Sequence, residues 1–445
     1  MTPPPRSPRR LLIVTYYWPP SGGSGVQRWL KLAKVLPSLG WQPVIVAPLD
    51  ADYAVRDEGL LADVPPEAEV LRLPIREPYA AYRRLTGASA TEQPGAGDTH
   101  PGLLKRLSLW VRANLFVPDP KILWVSPAVR HLTAYLRDHP VDAVVTTGPP
   151  HSLHLVGARL SRAVPDLPWL LDVRDPWSQF DVHLGFGPGA RARAKNRALE
   201  RRCLGAATRV LGTAPSMPAD LEPFDRSKFR VVTNGYDEED FPTPPDGETA
   251  TSPATADRFV LLHAGLLSPG RNPVALWRAL AELCRADPGF AERLAIRLIG
   301  TTAPEVATAI AAHPELDGKL ELTPWLRHDR IVGRYREADC LLLCPTRSDN
   351  ARSQINGKLF EYLAARRPVL HVGPYDADNT RLLDEAHAGL TVMPGDVDGA
   401  RDAVRRIAAG HFAAAPHAFN DAVIARYSRR ATAERLVDVL DEVVA

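Results

Sequence analysis

The stretch from residue 11 to residue 37 constrains the fold most. Leu11 to Thr15 is an unbroken run of apolar and β-branched residues, the pattern of a strand buried on both faces of a sheet. It passes through Tyr16-Tyr17-Trp18-Pro19-Pro20 into Ser21-Gly22-Gly23-Ser24-Gly25, after which Val26, Trp29, Leu30, Ala33 and Leu36 recur at helical spacing. A strand that feeds a glycine-rich loop opening a helix is where open parallel sheets bind ligands. N–H groups with no Cβ in the way let an anionic or hydroxyl-rich group approach. Read from Gly22 or from Gly23, the loop lacks the third glycine of G-x-G-x-x-G, and no Lys-Ser/Thr follows it. Taken alone it is equally a tight turn.

The same alternation continues along the chain. Strand signals at 44–47, 141–147 and 169–173 are separated by helical segments, notably 127–138 and 153–163. A second series follows at 259–263, 296–299, 320–322, 340–344, 369–372 and 390–393. Between the two series, Pro242 to Asp257 is rich in Pro, Thr, Ala and Asp, the composition of an interdomain linker. The expected fold is therefore α/β, with two doubly wound Rossmann-like domains facing a central cleft. A first domain spans 11–240, a linker 241–257 and a second domain 258–418. The region 419–445 either closes the second domain or crosses back to the first.

Size and charge narrow the class. With 445 residues the chain holds two or three domains, and 54 Lys+Arg against 52 Asp+Glu argue against a general nucleic-acid binder. The 13 His are scattered. Cys340 and Cys344 flank Leu341-Leu342-Leu343 and read as buried small hydrophobes. Together with Cys203 and Cys284 they make no disulfide framework, so a reducing cytoplasm is expected. No window approaches the roughly 20 apolar residues that span a bilayer. Residues 1–10 carry Pro and Arg without an apolar core and read as a disordered tail. Residues 87–102 read as a mobile insertion. Leu103, Leu104, Leu107, Trp110 and Val111 then form an amphipathic pattern with Lys105, Arg106 and Arg112. Such a helix either lies on an anionic membrane surface or packs on its own domain.

Two stretches of the second series carry chemistry. Ala264-Gly265-Leu266-Leu267-Ser268-Pro269-Gly270-Arg271 again runs from a strand through a glycine loop towards a helix. There Arg271 either meets a phosphate or is a solvated surface cation. Farther on, a polar loop leads into a helix beginning near Asn356-Gly357, with Arg347, Arg352 and Lys358 clustered at its start. Three cations at a positive helix terminus are unfavourable unless an anion sits there. Glu361, one turn in, either accepts hydrogen bonds from sugar or ribose hydroxyls or pairs with Lys358.

These motifs resemble those of GT-B-fold glycosyltransferases of family 4, the retaining, nucleotide-sugar-dependent type of bacterial envelope and capsule polysaccharide synthesis. The resemblance rests on Tyr16 to Arg28, on Leu171-Asp172-Val173-Arg174-Asp175-Pro176-Trp177, on Asn234-Gly235-Tyr236-Asp237, and on Gly357-Lys358-Leu359-Phe360-Glu361-Tyr362-Leu363 with Arg367-Pro368-Val369. It implies that Gly22, Gly23, Ser24 and Gly25 line the cleft, and that Gly265 and Arg271 meet the donor diphosphate. Glu361 matches the second glutamate of the E-x7-E signature and would meet the ribose. The first glutamate falls at Ser353, and Leu266 stands where an arginine usually follows the glycine, so Lys358 with Arg352 and Arg347 would supply replacement charge. Thr301, Trp325 and Leu326 fall where ribose and base are held, and Asn356 and Gly357 complete the implied donor set.

The implied reaction moves a sugar from a nucleoside diphosphate to an acceptor hydroxyl with retention, the leaving phosphate itself taking the acceptor proton. The implied partners are the nucleotide sugar and a glycan or lipid-linked acceptor, with peripheral membrane contact through 103–112 at the inner face of the cell membrane. No metal or other cofactor is expected. Arg271 and Lys358 would stabilise the leaving group, and Asp175, then His151, would orient the acceptor. The D-x-D triplets at 50–52, 376–378 and 396–398 read as chance surface acids. Two other readings share the fold. A nucleotide-sugar epimerase would need additional acidic and His residues that the sequence does not show. A catalytically weak binding subunit of a glycan assembly complex would fit Ser353 and Leu266, but retention of Arg271, Lys358 and Glu361 argues against it.

Overall fold

A computed structural model describes residues 8–77, 103–179, 187–241, 258–412 and 418–445. The segments read as a mobile insertion (87–102) and as a linker (241–257) lie outside these residues, apart from Phe241. The chain divides into two compact units. The first comprises Met1–Thr233 with Thr432–Ala445, and the second Asn234–Ala431.

The first unit is built on seven parallel strands: β1 (Arg9–Val14), β2 (Trp41–Leu49), β3 (Glu69–Pro74), β4 (Ala143–Gly148), β5 (Trp169–Val173), β6 (Arg209–Gly212) and β7 (Phe229–Val231). Their order is β3-β2-β1-β4-β5-β6-β7. Leu12 of β1 lies opposite Val44 on one side and Val144 on the other, so the sheet changes direction between β1 and β4. The helix Ser24–Val35 follows β1 and buries Val26, Trp29, Leu30 and Ala33, the apolar positions of the sequence pattern. They join Leu11, Ile13, Ile45 and Val145 in one core.

The second unit repeats the plan with β8 (Phe259–Ala264), β9 (Leu294–Ile299), β10 (Leu320–Thr323), β11 (Cys340–Leu343), β12 (Val369–Val372) and β13 (Gly389–Val392). They are ordered β10-β9-β8-β11-β12-β13 and switch between β8 and β11. Phe259 and Leu261 of β8 face a core that includes Trp277 and Leu280. Val260, Leu262 and Ala264 face another that includes Phe360 and Leu363. Both faces are covered, which is why the strands read as unbroken apolar runs. All four cysteines are buried thiols. Among the described residues no helix is long and apolar enough to cross a membrane.

Several expectations need correction. The tail read as 1–10 gives way to strand at Arg9. Arg10 N–H donates to Asp142 (2.6 Å), and its guanidinium reaches Glu69 and Tyr135. Arg9 lies over the Trp41 ring and pairs with Asp441. Long cationic stems let a strand end stay in the ladder while the charged heads reach partners at the rim. Strands β3, β6 and β7 were not visible in the apolar pattern; β6 and β7 are short, and β3 and β7 are edge strands. The region after residue 418 forms two helices, Asp421–Ala425 and Arg429–Val444. Ala433, Leu436 and Leu440 of the latter lie in the core of the first unit. Of the acids read as chance surface groups, Asp378 is buried and pairs with Arg381, and Asp396 caps the helix Val397–Ala408 through Gly399 N–H.

Candidate active site

In the second unit the strand-order switch places the ends of β8 and β11 side by side, the position at which open α/β sheets bind ligands. β8 ends at Ala264, and Gly265 follows with φ +111°. A Cβ there would stand 1.7 Å from the Lys358 ammonium nitrogen. Gly300, after β9, has φ +116°, and its Cβ would meet the Gly265 Cα at 2.9 Å. Two glycines thus let two strand ends and one side chain share a space closed to any larger residue. Lys358, in the first turn of the helix Gly357–Ala364, donates to the Ala264 carbonyl and forms no ion pair among the described residues. Burial pushes its ammonium down to about 8, and the neighbouring Arg271 charge adds to the shift.

Arg271 ends the short turn Pro269–Arg271. Its Nε donates to Thr346 Oγ1 (2.9 Å), bridging the segments that follow β8 and β11, and Nη1 donates to the Leu266 carbonyl (3.3 Å). Burial lowers its basicity. Glu361 accepts from Tyr335 OH (3.0 Å) and makes no ion pair with Lys358. Burial raises its carboxyl, against the pull of His328 and the Tyr335 hydrogen bond. Sequence reasoning missed His263, buried on β8, whose Nδ1 lies 2.9 Å from the Leu342 carbonyl oxygen. Burial, then the Lys358 charge, pushes it down to about 4, so it is neutral near pH 7. Its place in an apolar strand run gives no signal in the sequence.

The expected cluster of three cations at this helix start is not formed. Arg347 donates to the Asn272 carbonyl (2.7 Å) and Arg352 pairs with Asp376 at the exposed surface (2.9 Å), leaving Lys358 at the β8 end. Ser353 is buried, and its hydroxyl donates to the Asn350 carbonyl (3.2 Å). Asn356 is locked to Asn379: its N–H donates to Asn379 Oδ1 and its Oδ1 accepts from Asn379 Nδ2. Gly357 meets nothing within 4 Å at its Cβ position. Thr301 is exposed, and its carbonyl accepts from Leu267 N–H (2.9 Å). Trp325 is 68% exposed, and Leu326 packs on the core beneath.

Gly265 carries a direct prediction. Gly265→Ala adds a left-handed strain of about 1–2 kcal/mol and drives Lys358 from its position. Nucleotide affinity should fall at least tenfold and the melting temperature should drop. Calorimetric titration with unaltered affinity would show that Lys358 is not where the donor binds.

The first unit has its own switch point, between β1 and β4. Gly23 takes φ +81° at the start of the helix Ser24–Val35, and a Cβ on Gly25 would sit 2.9 Å from the Tyr17 ring. Gly22 and Ser24 lie at the surface of this loop, half-buried and exposed. In sequence Arg174 lies between Asp172 and Asp175. It instead donates to the carbonyls of Gly25 (2.7 Å), Gly148 (3.1 Å) and Pro149 (2.7 Å), tying both loops of the switch together. Asp172 is taken by Arg28 (2.8 Å), both fully buried, and accepts further hydrogen bonds from Trp29 Nε1 (2.7 Å) and Thr147 (2.8 Å). Asp175 is half-buried and close enough to Tyr17 and Arg174 to act on their ionisation. His151 is buried and stacks on Trp177 at 5.1 Å with the rings 7° apart. The Asp175-Pro176-Trp177-Ser178 turn is pinned from the helix Ala190–Ala206. Asn196 accepts from Trp177 Nε1 (2.8 Å), and Glu200 accepts from Ser178 N–H (3.0 Å).

No family model matches the chain. The D-inositol 3-phosphate glycosyltransferase of Saccharomonospora viridis is 25% identical to it over 388 residues, covering 81% of this chain and 84% of that protein. Among solved structures, a glycosyltransferase from Rickettsia africae superposes with a TM-score of 0.62 at 12% identity, covering 98% of each chain. The Anabaena protein HepE, solved with UDP and glucose, superposes with a TM-score of 0.60 at 14% identity, covering 97% of this chain and 99% of its own. Two doubly wound sheets of this order give the chain the GT-B fold, and over four-fifths of its length it is similar in sequence to a glycosyltransferase.

Proposed function

We propose that the chain is a family-4, retaining enzyme that takes its sugar from a nucleoside-diphosphate sugar held on the second unit. The acceptor is a hydroxyl of a glycan or lipid-linked glycan, and the product serves cell-envelope or exopolysaccharide synthesis on the cytoplasmic side of the membrane. The observation that carries this reading is Lys358: a buried ammonium that, among the described residues, has one carbonyl partner and no ion pair, beside a second cation, Arg271, at the switch point of the sheet. Burying a charge that way is costly unless an anion completes it. A diphosphate does so.

In the reaction, the bond between the anomeric carbon and the diphosphate oxygen breaks, and a bond from that carbon to the acceptor oxygen forms. The acceptor proton passes to the departing diphosphate, leaving a nucleoside diphosphate and a glycoside. Lys358 and Arg271 stabilise the charge that develops on the leaving group. Glu361 takes the ribose hydroxyls, Asp175 and His151 orient the acceptor, and Gly357 opens the helix N-terminus. Thr301, Trp325 and Leu326 frame the ribose and base. Because the two cations do the work of a divalent ion, turnover should persist in excess chelator. The relative from S. viridis, named for a phosphorylated acceptor, and HepE, solved with UDP-glucose, support a nucleotide-sugar reaction.

The test is thermal stability against UDP-, GDP-, ADP-, CMP- and dTDP-sugars, run beside an Arg271→Ala, Glu361→Ala double variant. One nucleotide at 100 times its Kd should add ~2.7 kcal/mol to the wild type and nothing to the variant. Failure of every nucleotide to stabilise the folded wild type would overturn the reading.

Peripheral membrane contact through 103–112 is part of the same proposal. On the helix Leu103–Leu115, Leu107, Trp110 and Leu115 are 58%, 54% and 61% exposed. This helix is tied by Asn114 Oδ1 to Gly189 N–H (2.7 Å), at the start of the helix Ala190–Ala206. There Arg191, Lys195 and Arg202 share one exposed face and enter no ion pair among the described residues, whereas Arg197 and Arg201 pair with Glu222. Exposed apolar side chains beside exposed cations suit an anionic bilayer. The protein should sediment with anionic but not with neutral vesicles, and Trp110→Ser should weaken that several-fold. Equal partition to both vesicle types would remove the electrostatic part of the argument.

A further inference from the structure

We infer that a cavity of about 190 Å³ in the first unit is a subsite for the anionic group, phosphate or carboxylate, of a sugar or polyol acceptor. This rests on the transfer reaction proposed above. The cavity lies at the C-terminal ends of β1 and β2 and beside β3. It is lined by Pro20, Asp50, Ala51, Tyr53, Arg56 and Arg72, among others, and neither arginine belongs to a motif.

Two guanidinium groups face the space, and both are held in place. Arg72 donates to the carbonyls of Pro19 and Pro48, which fixes its plane and leaves N–H donors over. Arg56 lies over the Tyr53 ring (5.9 Å) and donates to the Ala51 carbonyl (3.4 Å). The Tyr53 hydroxyl is in turn spent on the Tyr16 carbonyl (3.0 Å). Among the described residues neither arginine forms an ion pair, with the Asp50 carboxylate of the same wall or any other. The buried carboxylate nearby, Glu77, is already engaged by Lys121, by the Tyr16 hydroxyl (2.8 Å) and by Asp52 N–H (2.6 Å). Two oriented cations against one exposed carboxylate in one concavity suit a phosphate or a carboxylate.

The rest of the lining speaks for a hydroxylated carrier. Asp50 is one of three non-glycine residues with positive φ (52°) among the described residues, and it offers an exposed acceptor at the same wall. The volume holds one small ring with its charged group and is well below that of a drug-sized ligand site. The cavity is also joined to the glycine loop. Ser21 bridges Arg56, Gly22 N–H donates to the Val55 carbonyl (2.9 Å), and Asp57 N–H donates to the Pro20 carbonyl (2.9 Å). Whatever anchors Arg56 therefore also sets the loop that begins the helix Ser24–Val35.

The test uses the full chain with inorganic phosphate, glucose 6-phosphate, glucuronate and glucose, titrated calorimetrically into wild type, Arg56→Ala, Arg56→Glu and Arg72→Lys. The UDP-sugar stability shift is measured on every sample. Arg56 is exposed, so its variants keep the core, and an unchanged nucleotide shift certifies their fold. At least one anionic probe should bind wild type tenfold or more tighter than glucose, and Arg56→Glu should abolish that preference. A preference for glucose 6-phosphate identifies phosphate as the recognised group, and one for glucuronate identifies carboxylate. Anionic probes binding no better than glucose, or binding undiminished in Arg56→Glu, would overturn the subsite. If no nucleotide stabilises wild type, the transfer reading falls by its own assay, while the anion titration still reads this cavity directly.

Discussion

Lys358→Met should make the protein more stable and nearly inactive. Removing the buried ammonium relieves its desolvation. A pKa displaced from 10.5 to about 8 corresponds to at most about 3.4 kcal/mol at pH 7, at 1.36 kcal/mol per unit, so the variant should gain about 1–3 kcal/mol in denaturant unfolding. The same change removes the charge that meets the leaving diphosphate, and kcat/KM should fall by about 10²–10³, the usual loss for one preorganised electrostatic donor. The opposite signs separate this outcome from general damage. In the wild type, the folded pKa lies below the unfolded one. The folded state thus binds fewer protons between pH 8 and 10.5, and the stability cost of the ammonium is relieved as pH rises through that window. Nucleotide binding runs the other way. It needs the ammonium, so affinity should be level up to about pH 8 and then fall by up to tenfold per pH unit. Lys358→Met should lose that pH dependence. A wild-type affinity flat from pH 7 to 10 would mean that the diphosphate binds elsewhere.

The largest loss of stability should come from Asp172→Ala. The Asp172 carboxylate and the Arg28 guanidinium are both essentially without solvent contact. Burial would raise the carboxyl, but Arg28, Thr147 and Trp29 overcome it and hold it below its ordinary value. Removing the carboxylate leaves the Arg28 guanidinium charged and buried without the Asp172 counter-charge, while it still donates to the Thr233 carbonyl, a defect of about 3–5 kcal/mol. The Arg28→Met, Asp172→Leu pair should recover most of it, because two apolar groups of similar volume need no counter-charge. Thermal unfolding of the three proteins decides this. A double variant as unstable as Asp172→Ala would show that the Trp29 and Thr147 hydrogen bonds, not the ion pair, carry the stability.

How much of this was legible in the sequence depended on the distance over which each feature is encoded. β1, β5, β8 and β11 were plain because a strand buried on both faces writes itself as a contiguous apolar run. β3 alternates Glu69, Val70, Leu71, Arg72, Leu73 and Pro74 at a sheet edge, and no local pattern separates that from a loop. Lys358 and Gly265 were singled out through motifs, but their mutual fit, Cβ against ammonium, joins positions more than ninety residues apart. For the same reason the sequence drew Arg347 and Arg352 into a cluster with Lys358. Their actual partners, Asn272 and Asp376, lie on other segments. Asp172 stands two residues from Arg174 in sequence, whereas the fold pairs it with Arg28 on the helix Ser24–Val35. The anion-facing arginines, Arg56 and Arg72, left no trace in any motif.

The placement of Leu436 and Leu440 in the core of the first unit has a consequence for synthesis on the ribosome. Domains of a nascent chain ordinarily complete folding in the order they emerge. Here the first unit lacks part of its interior until Thr432–Ala445 is translated. The intervening unit, roughly 200 residues long, takes on the order of 10–40 s to make at ~5–20 residues per second. For that interval the amino-terminal sheet exposes the apolar surface that the helix Arg429–Val444 will cover, whereas the second unit is made in one stretch and has its whole sequence before that helix is complete. The unit that comes out of the tunnel second is the one that finishes folding first, and the waiting half is the natural client of a holding chaperone.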